Sequence, residues 1–373
     1  MRILHIVATG KRRGAEVFAS DLVQALDVEG ISQHVGVLRS DELEIDFVVP
    51  RAFLGNGGRK HREARMSPGA LRNLRALNRA FEPDAVQAHG GEALMYAAAS
   101  LVGSKIPLIY RRIGGAPSSV KRGLRRRALG LMMRRAQQIV TVAEDLRRET
   151  VELFGVDPHR ITTIPNGVDR RRLTPTRTRD ETRRSLGIAP DAPMLVSLGA
   201  VSWEKDPLGH LRVTARVLRE VGDVVHVWVG DGPMREELRT AAVEQGLEGR
   251  MLLLGSRTDV ADLLTAGDVL LFASRTDGME GMPAAVIEAG MVGTPVAGYA
   301  VAGVPEVVLD GETGSLVAPG DLDGLAERVV DLLGDERRRR AIGESARERC
   351  LAHFEINAVA PKYLSLYEQV VST

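Results

Sequence analysis

The chain has 373 residues, 44% of them apolar and 27% charged, with a formal net charge of +1, an ordinary globular composition long enough for two or three domains. No run reaches the ~18 uncharged apolar residues that a membrane helix needs, and the single cysteine, Cys350, excludes an internal disulfide framework and fits a reducing cytoplasm. The charge is unevenly spread, with 27 Lys and Arg against 18 Asp and Glu in residues 1–170 and 23 against 31 in the rest, so the first half is the one expected to meet an anionic partner.

Residues 3–8 open the chain as a buried strand. The run is too short for the apolar region of a signal peptide and leads straight into Lys11, Arg12 and Arg13. A helical pattern over 15–28 follows, and further strands are expected at 35–38, 85–88, 108–110, 139–142 and 161–164. The polar stretch 170–193, holding three prolines, breaks the rhythm and marks a boundary. Strands at 194–198, 224–229, 251–254, 269–272 and 295–297 then alternate with helices such as 234–245 and 325–333. Apolar runs alternating with helix-period segments mean βαβ units and parallel sheets. The predicted fold is α/β, with two doubly wound Rossmann-like domains facing across a cleft, residues 1–170 and 191–354, joined by a linker at 171–190. Ligands in such sheets bind beyond the carboxyl ends of the strands.

Taken in chain order, the candidate residues stand at strand-to-helix loops. Gly14 lies where the first strand meets the first helix, where a glycine lets backbone approach a phosphate and the helix N-terminus adds positive potential. Glu16 reads as a first-turn helix residue. His89 closes a strand before Gly90-Gly91, and Arg111 and Arg112 close the next; these three are expected to line the cleft. Residues 111–135 hold nine basic side chains and no acid, with Val120, Leu124, Ala128, Leu131 and Ala136 at helical spacing. This is either an anionic-membrane or acceptor surface or a solvated face in a chain whose 50 basic residues include only six lysines. Nucleic acid is disfavoured because few aromatics interleave. Lys205 follows the strand at 194–198, and Gly230 follows that at 224–229 without the third glycine of a dinucleotide fingerprint. Asp321-Leu322-Asp323 reads as a helix N-cap rather than a metal site.

Residues 277–290, DGMEGMPAAVIEAG, carry the most information. Pro283 suits a first helical turn, so the turn ahead of it presents free N–H groups at the positive end of the dipole. Glu280 lies just outside that end and Glu288 about a turn and a half inside, at ~3.6 residues per turn. Two carboxylates so placed accept hydroxyls from both ends of a long ligand with an anionic middle, such as a nucleotide sugar. Otherwise they are a helix-face glutamate and a dipole partner.

This segment resembles the E-x7-E motif of the retaining family 4 glycosyltransferases of the GT-B fold. Gly14-Ala15-Glu16, Asn166-Gly167-Val168-Asp169, Glu204-Lys205, Gly230-Asp231-Gly232-Pro233, Gly303-Val304-Pro305-Glu306 and Asp310-Gly311 fall in the family's order. The resemblance implies a C-terminal helix, about 355–373 and centred on 361–371, crossing back to the first domain. It further implies that Glu288 takes the ribose hydroxyls, that Glu280, with the amides of Gly281 and Met282, takes the donor sugar, that Lys205 takes the leaving diphosphate, and that His89, Arg111, Arg112 and Arg13 lie on the acceptor side. Ala200 and Arg13 depart from the family pattern, where an Arg and a Gly are usual. Arg257, Arg12 or Arg13 is the expected second cation. The implied activity is metal-independent, cofactor-free transfer of a sugar with retained anomeric configuration. The donor is a UDP-sugar, with a GDP-sugar second, and the acceptor a hydroxyl of a small molecule, glycan or lipid-linked compound. A cytoplasmic enzyme of cell-surface glycoconjugate synthesis follows. An epimerase or phosphorylase on the same fold, and a silent nucleotide-sugar binding protein, are the alternatives.

Overall fold

The structure is a computed structural model that describes residues 1–28, 30–39, 45–55, 66–116 and 123–372. Its contacts divide the chain into two units, Met1–Val168 with Ile356–Thr373, and Asp169–Glu355.

The first unit is built on a parallel sheet of β1 (Arg2–Val7), β2 (Ser32–Val37), β3 (Arg51–Phe53), β4 (Ala85–His89), β5 (Leu108–Arg112), β6 (Gln138–Thr141) and β7 (Ile161–Thr163), in the order β3-β2-β1-β4-β5-β6-β7. The strand order reverses at β1, which pairs in parallel with both β2 and β4. That reversal is a topological switch point, and it opens a crevice at the carboxyl ends of β1 and β4. Ile3 through Val7 are all buried, because helices cover both faces of such a sheet and its strands read as continuous apolar runs.

The second unit repeats the design with β8 (Met194–Leu198), β9 (Val225–Val229), β10 (Met251–Leu253), β11 (Val269–Phe272), β12 (Val296–Tyr299) and β13 (Gly314–Val317), ordered β10-β9-β8-β11-β12-β13. Its switch point falls between β8 and β11, which pair directly. The loops that follow these two strands are therefore the ones that line its crevice.

Several expectations change. Strands β3 and β13 were not expected, since three or four residues with Gly314 and Ser315 carry little alternation. Segment 171–190 is no linker. It belongs to the second unit and holds the helix Arg179–Ser185, whose Thr178–Glu181 capping box starts it. Arg183 is fully buried there and bonds Asp268, while Arg179 and Arg339 reach the same carboxylate. The C-terminal helix runs Ile356–Val371 with Pro361 inside it. It buries Ile356, Val359, Tyr363, Leu366, Tyr367 and Val370 against Ile3, Phe18 and Leu22 in the first unit's core, so packing outweighs the interior proline's cost of about 3 kcal/mol. Gly167, in the turn after β7, packs against the start of that helix: a side-chain carbon there would stand 3.2 Å from the Cα of Ile356 and 3.1 Å from Val359.

The basic segment folds as a helix, Gly123–Arg135, but on a different face from that expected. Gly130 and Met133 are buried, while Leu124 and Leu131 are 80% and 68% exposed. Val120 and the rest of 117–122, within the basic segment named above, lie outside the described residues.

Candidate active site

In the second unit the switch point brings Lys205 and Glu280 together. Strand β8 is followed by Gly199 at φ +136° and then by a short 3-10 helix, Trp203–Lys205. Strand β11 leads to Ser274 and the loop 275–280. That loop is pinned to the first: Arg275 N–H donates to the Glu204 carbonyl at 2.9 Å, and Gly278 packs so closely that a side-chain carbon would sit 2.9 Å from the same oxygen. Met279 adopts φ +59°, a strained conformation for a side chain that is not glycine. The outcome is an ion pair between Lys205 Nζ and Glu280 Oε1, with Ser274 Oγ donating to the same oxygen at 3.1 Å. Both partners keep some solvent contact, 21% and 13%. Lys205 Nζ also stands 5.0 Å from the centre of the Phe272 ring. The family resemblance implies separate tasks for the two residues, yet the fold makes them one charged unit.

The expected helix begins one residue later than anticipated, at Ala284, with Pro283 as an extended N-cap at ψ 121°. Met282 is buried, and the Gly281 carbonyl accepts from Gly303 N–H at 2.7 Å. That bond explains the Gly303-Val304-Pro305-Glu306 segment as a brace for the Glu280 loop. Glu288 is mostly buried and lies 3.6 Å from Arg172. Arg172 was missed by sequence reasoning; its only signal was its place in the Arg170–Leu173 turn just after Asp169. Gly230 has φ +138°, and any side chain there would run into the Gly199 carbonyl, so this glycine shapes the Lys205 loop itself. Arg257 is half-exposed and makes a two-pronged pair with Asp259 at 2.6 and 2.8 Å, so the structure does not join it to Lys205. Asp321 accepts from Gly324 N–H at 2.9 Å as an N-cap, and Asp323 pairs with Arg216.

Beneath this loop lie buried histidines. His210 Nδ1 meets the Asp206 carbonyl at 3.0 Å, next to Lys205, and its ring stands 4.8 Å from Trp228. Burial holds His210 below its ordinary pKa, despite the Asp206 contact, and pushes His226 well below it.

In the first unit, Gly14 begins the helix Gly14–Ala25 with Arg13 as N-cap, and the space beside Gly14 is open. Glu16 is 3% exposed, and burial raises its carboxyl pKa against the pull of its own backbone amide and Arg13. His89 closes β4, 2% exposed. Its Nε2 lies 3.2 Å from His5 Nδ1, and its Nδ1 is buried with no partner. Arg111 pairs with it across β4 and β5, donating to Tyr363 Oη at 3.1 Å and to Asn166, with its guanidinium 3.5 Å over the Phe18 ring. Arg112 does not line the site. It is buried against Glu149, Thr150 and the Leu146 carbonyl, a closed set of bonds that leaves it an anchor for the helix Glu144–Phe154.

Residues 178–349 match the family model described as Glycosyl transferases group 1, and residues 12–172 that described as Glycosyltransferase Family 4. The chain is 31% identical over 234 residues to the N-acetyl-alpha-D-glucosaminyl L-malate synthase of Bacillus anthracis, covering 62% of this chain and 60% of that one. It is 29% identical over 224 residues to the UDP-Gal:alpha-D-GlcNAc-diphosphoundecaprenol alpha-1,3-galactosyltransferase of Escherichia coli, covering 59% and 57%. The matched stretch thus spans about three-fifths of either relative's length. Among solved structures, Anabaena HepE in complex with UDP and glucose superposes with a TM-score of 0.83 at 21% identity, over 99% of both chains. A likeness at that identity speaks for the fold alone.

Proposed function

Because the chain belongs to the family 4, group 1 glycosyltransferases and has their GT-B fold, we propose that it transfers a sugar from a nucleotide diphosphate to an acceptor hydroxyl, without a metal and with retained configuration. The observation that carries this reading is the Lys205–Glu280 ion pair at the second sheet's switch point, with Glu288 eight residues further on. A positive group held beside the departing diphosphate supplies the charge stabilisation that usually dominates such barriers. Glu280 and Glu288 accept hydroxyls of the sugar and ribose, and the amides of Gly281 and Met282 face the same ligand. The Escherichia coli relative and the Anabaena protein are both named with UDP, which favours uridine diphosphate over guanosine diphosphate. Within the second unit Lys205 and Gly230 serve the donor, and within the first Gly14 suits a phosphate while His89 and Arg111 suit the acceptor. Incubation with a panel of UDP- and GDP-sugars, following release of free nucleotide, tests this. Slow hydrolysis of one UDP-sugar is expected; nucleotide binding without any release would leave the silent binding protein as the better reading.

The helix Gly123–Arg135 supports a peripheral contact with anionic membrane. Exposed Leu124 and Leu131 lie at the spacing of one helix face, among Arg125, Arg126, Arg127 and Arg134, a combination that binds acidic interfaces. No described helix is long and apolar enough to cross a membrane. Sedimentation with phosphatidylglycerol vesicles should exceed that with phosphatidylcholine, and Leu124→Glu should abolish the difference; equal sedimentation would discard this contact.

A further inference from the structure

A line of buried side chains crosses the first sheet on the face covered by the C-terminal helix, and the catalytic reading leaves most of it unused. Its direction can be read one bond at a time. Gln33 Nε2 donates to the Val23 carbonyl at 3.0 Å, and a carbonyl can only accept. Gln33 Oε1 is thereby turned toward His5, 3.2 Å from Nε2, so His5 carries its proton on Nε2 and offers a lone pair at Nδ1. The next contact, His5 Nδ1 to His89 Nε2 at 3.2 Å, then requires a proton on His89 Nε2. His89 Nδ1 is left bare, buried and without a partner.

We propose that Gln33 and His5 are positioning residues that lock His89 in the Nε2–H tautomer, so that its Nδ1 lone pair accepts a hydrogen bond from a hydroxyl of the ligand taken at the carboxyl end of β4. The role rests on the transferase reading above, and the ligand class is an alcohol rather than an anion or a cation. Both imidazoles are held neutral. Burial brings His5 down to about 4, against a rise from the Gln33 contact, and burial, with His5 and the Arg111 guanidinium nearby, holds His89 well below its ordinary value. An imidazole that keeps a single proton at ordinary pH can be directed by the bond on its other nitrogen. The three links come from β1, β2 and β4, which pair in register, so rigid backbone fixes the relay.

Histidine 1H–15N correlation spectra of the full chain, with kinetics on the same samples, provide the test. The wild type is expected to show His89 protonated at Nε2 and bare at Nδ1. Gln33→Glu places a carboxylate on His5 Nε2 and favours a doubly protonated His5. Its Nδ1–H then donates to His89, whose proton moves to Nδ1. Turnover should fall at least tenfold while KM for the nucleotide sugar changes less than twofold. A wild-type His89 protonated at Nδ1, or an inverted tautomer with undiminished turnover, overturns the proposal. If Gln33→Glu does not fold, Gln33→Leu decides, because without the directing amide both His89 tautomers should be populated; a single Nε2–H form there refutes the lock. A chain inactive with every donor would sink the transferase reading, while the spectra would still decide the tautomer.

Discussion

Lys205 owes its position to residues that do not touch it directly. Gly230 admits the Gly199 carbonyl, Gly278 admits that of Glu204, and His210 holds the Asp206 carbonyl. The Lys205→Ala protein should therefore fold normally yet lose turnover by about 10²–10³-fold, the usual effect of removing one group that stabilises developing charge. Initial rates of nucleotide release, with a far-ultraviolet circular dichroism check, measure this, and a rate within a few-fold of wild type would take Lys205 out of the mechanism. The sequence placed Glu280 ahead of a helix and Glu288 inside it because a short loop-to-helix motif fixes them locally, and placed Lys205 after a strand. The ion pair was not legible, since it joins loops 75 residues apart, and neither was the Arg172–Glu288 contact. Arg112 was misplaced because a strand-ending arginine looks the same in sequence whether its guanidinium meets ligand or Glu149.

At the level of elements, the segment expected to be a linker is the clearest departure. Helix Arg179–Ser185 is tied to the second sheet through Asp268, which accepts from Arg179, Arg183 and the Met194 N–H. Burial alone would raise this carboxyl, but Arg179 and the Met194 amide hold it below its ordinary range. Prolines and charge suggested exposed chain, and nothing local announces that a carboxylate 85 residues away neutralises Arg183. Asp268→Ala would strand a fully buried guanidinium, a loss of about 3–5 kcal/mol, and urea unfolding followed by tryptophan fluorescence should show it. An unchanged midpoint would mean the helix is held by other contacts. The strands, by contrast, were legible nearly throughout, because a covered parallel sheet demands unbroken apolar runs.

For the whole molecule, both units bury neutral histidines. His5 is lowered to about 4, His210 is lowered, and His89 and His226 are lowered well below the usual value, all chiefly by burial. In the unfolded chain these groups take up protons near pH 6.5, whereas in the fold they resist. Stability is thus fully present above about pH 6.5 and is lost as pH falls toward 4. His5 alone accounts for about 2 kcal/mol between pH 7 and 5. Melting temperature should drop steeply across that interval, and His5→Gln or His226→Gln should flatten the slope; a profile level from pH 7 to 5 would contradict the neutral assignment.

On the proposed function, the helix beginning at Ala284 and the loop before it grip a nucleotide sugar through Glu280 and Glu288. Calorimetric titration of UDP into the wild type and into Glu288→Gln tests it most directly. Saturable binding to the wild type is expected, weakened at least tenfold in the variant, about 1.4 kcal/mol. Equal affinity in the two proteins would contradict it.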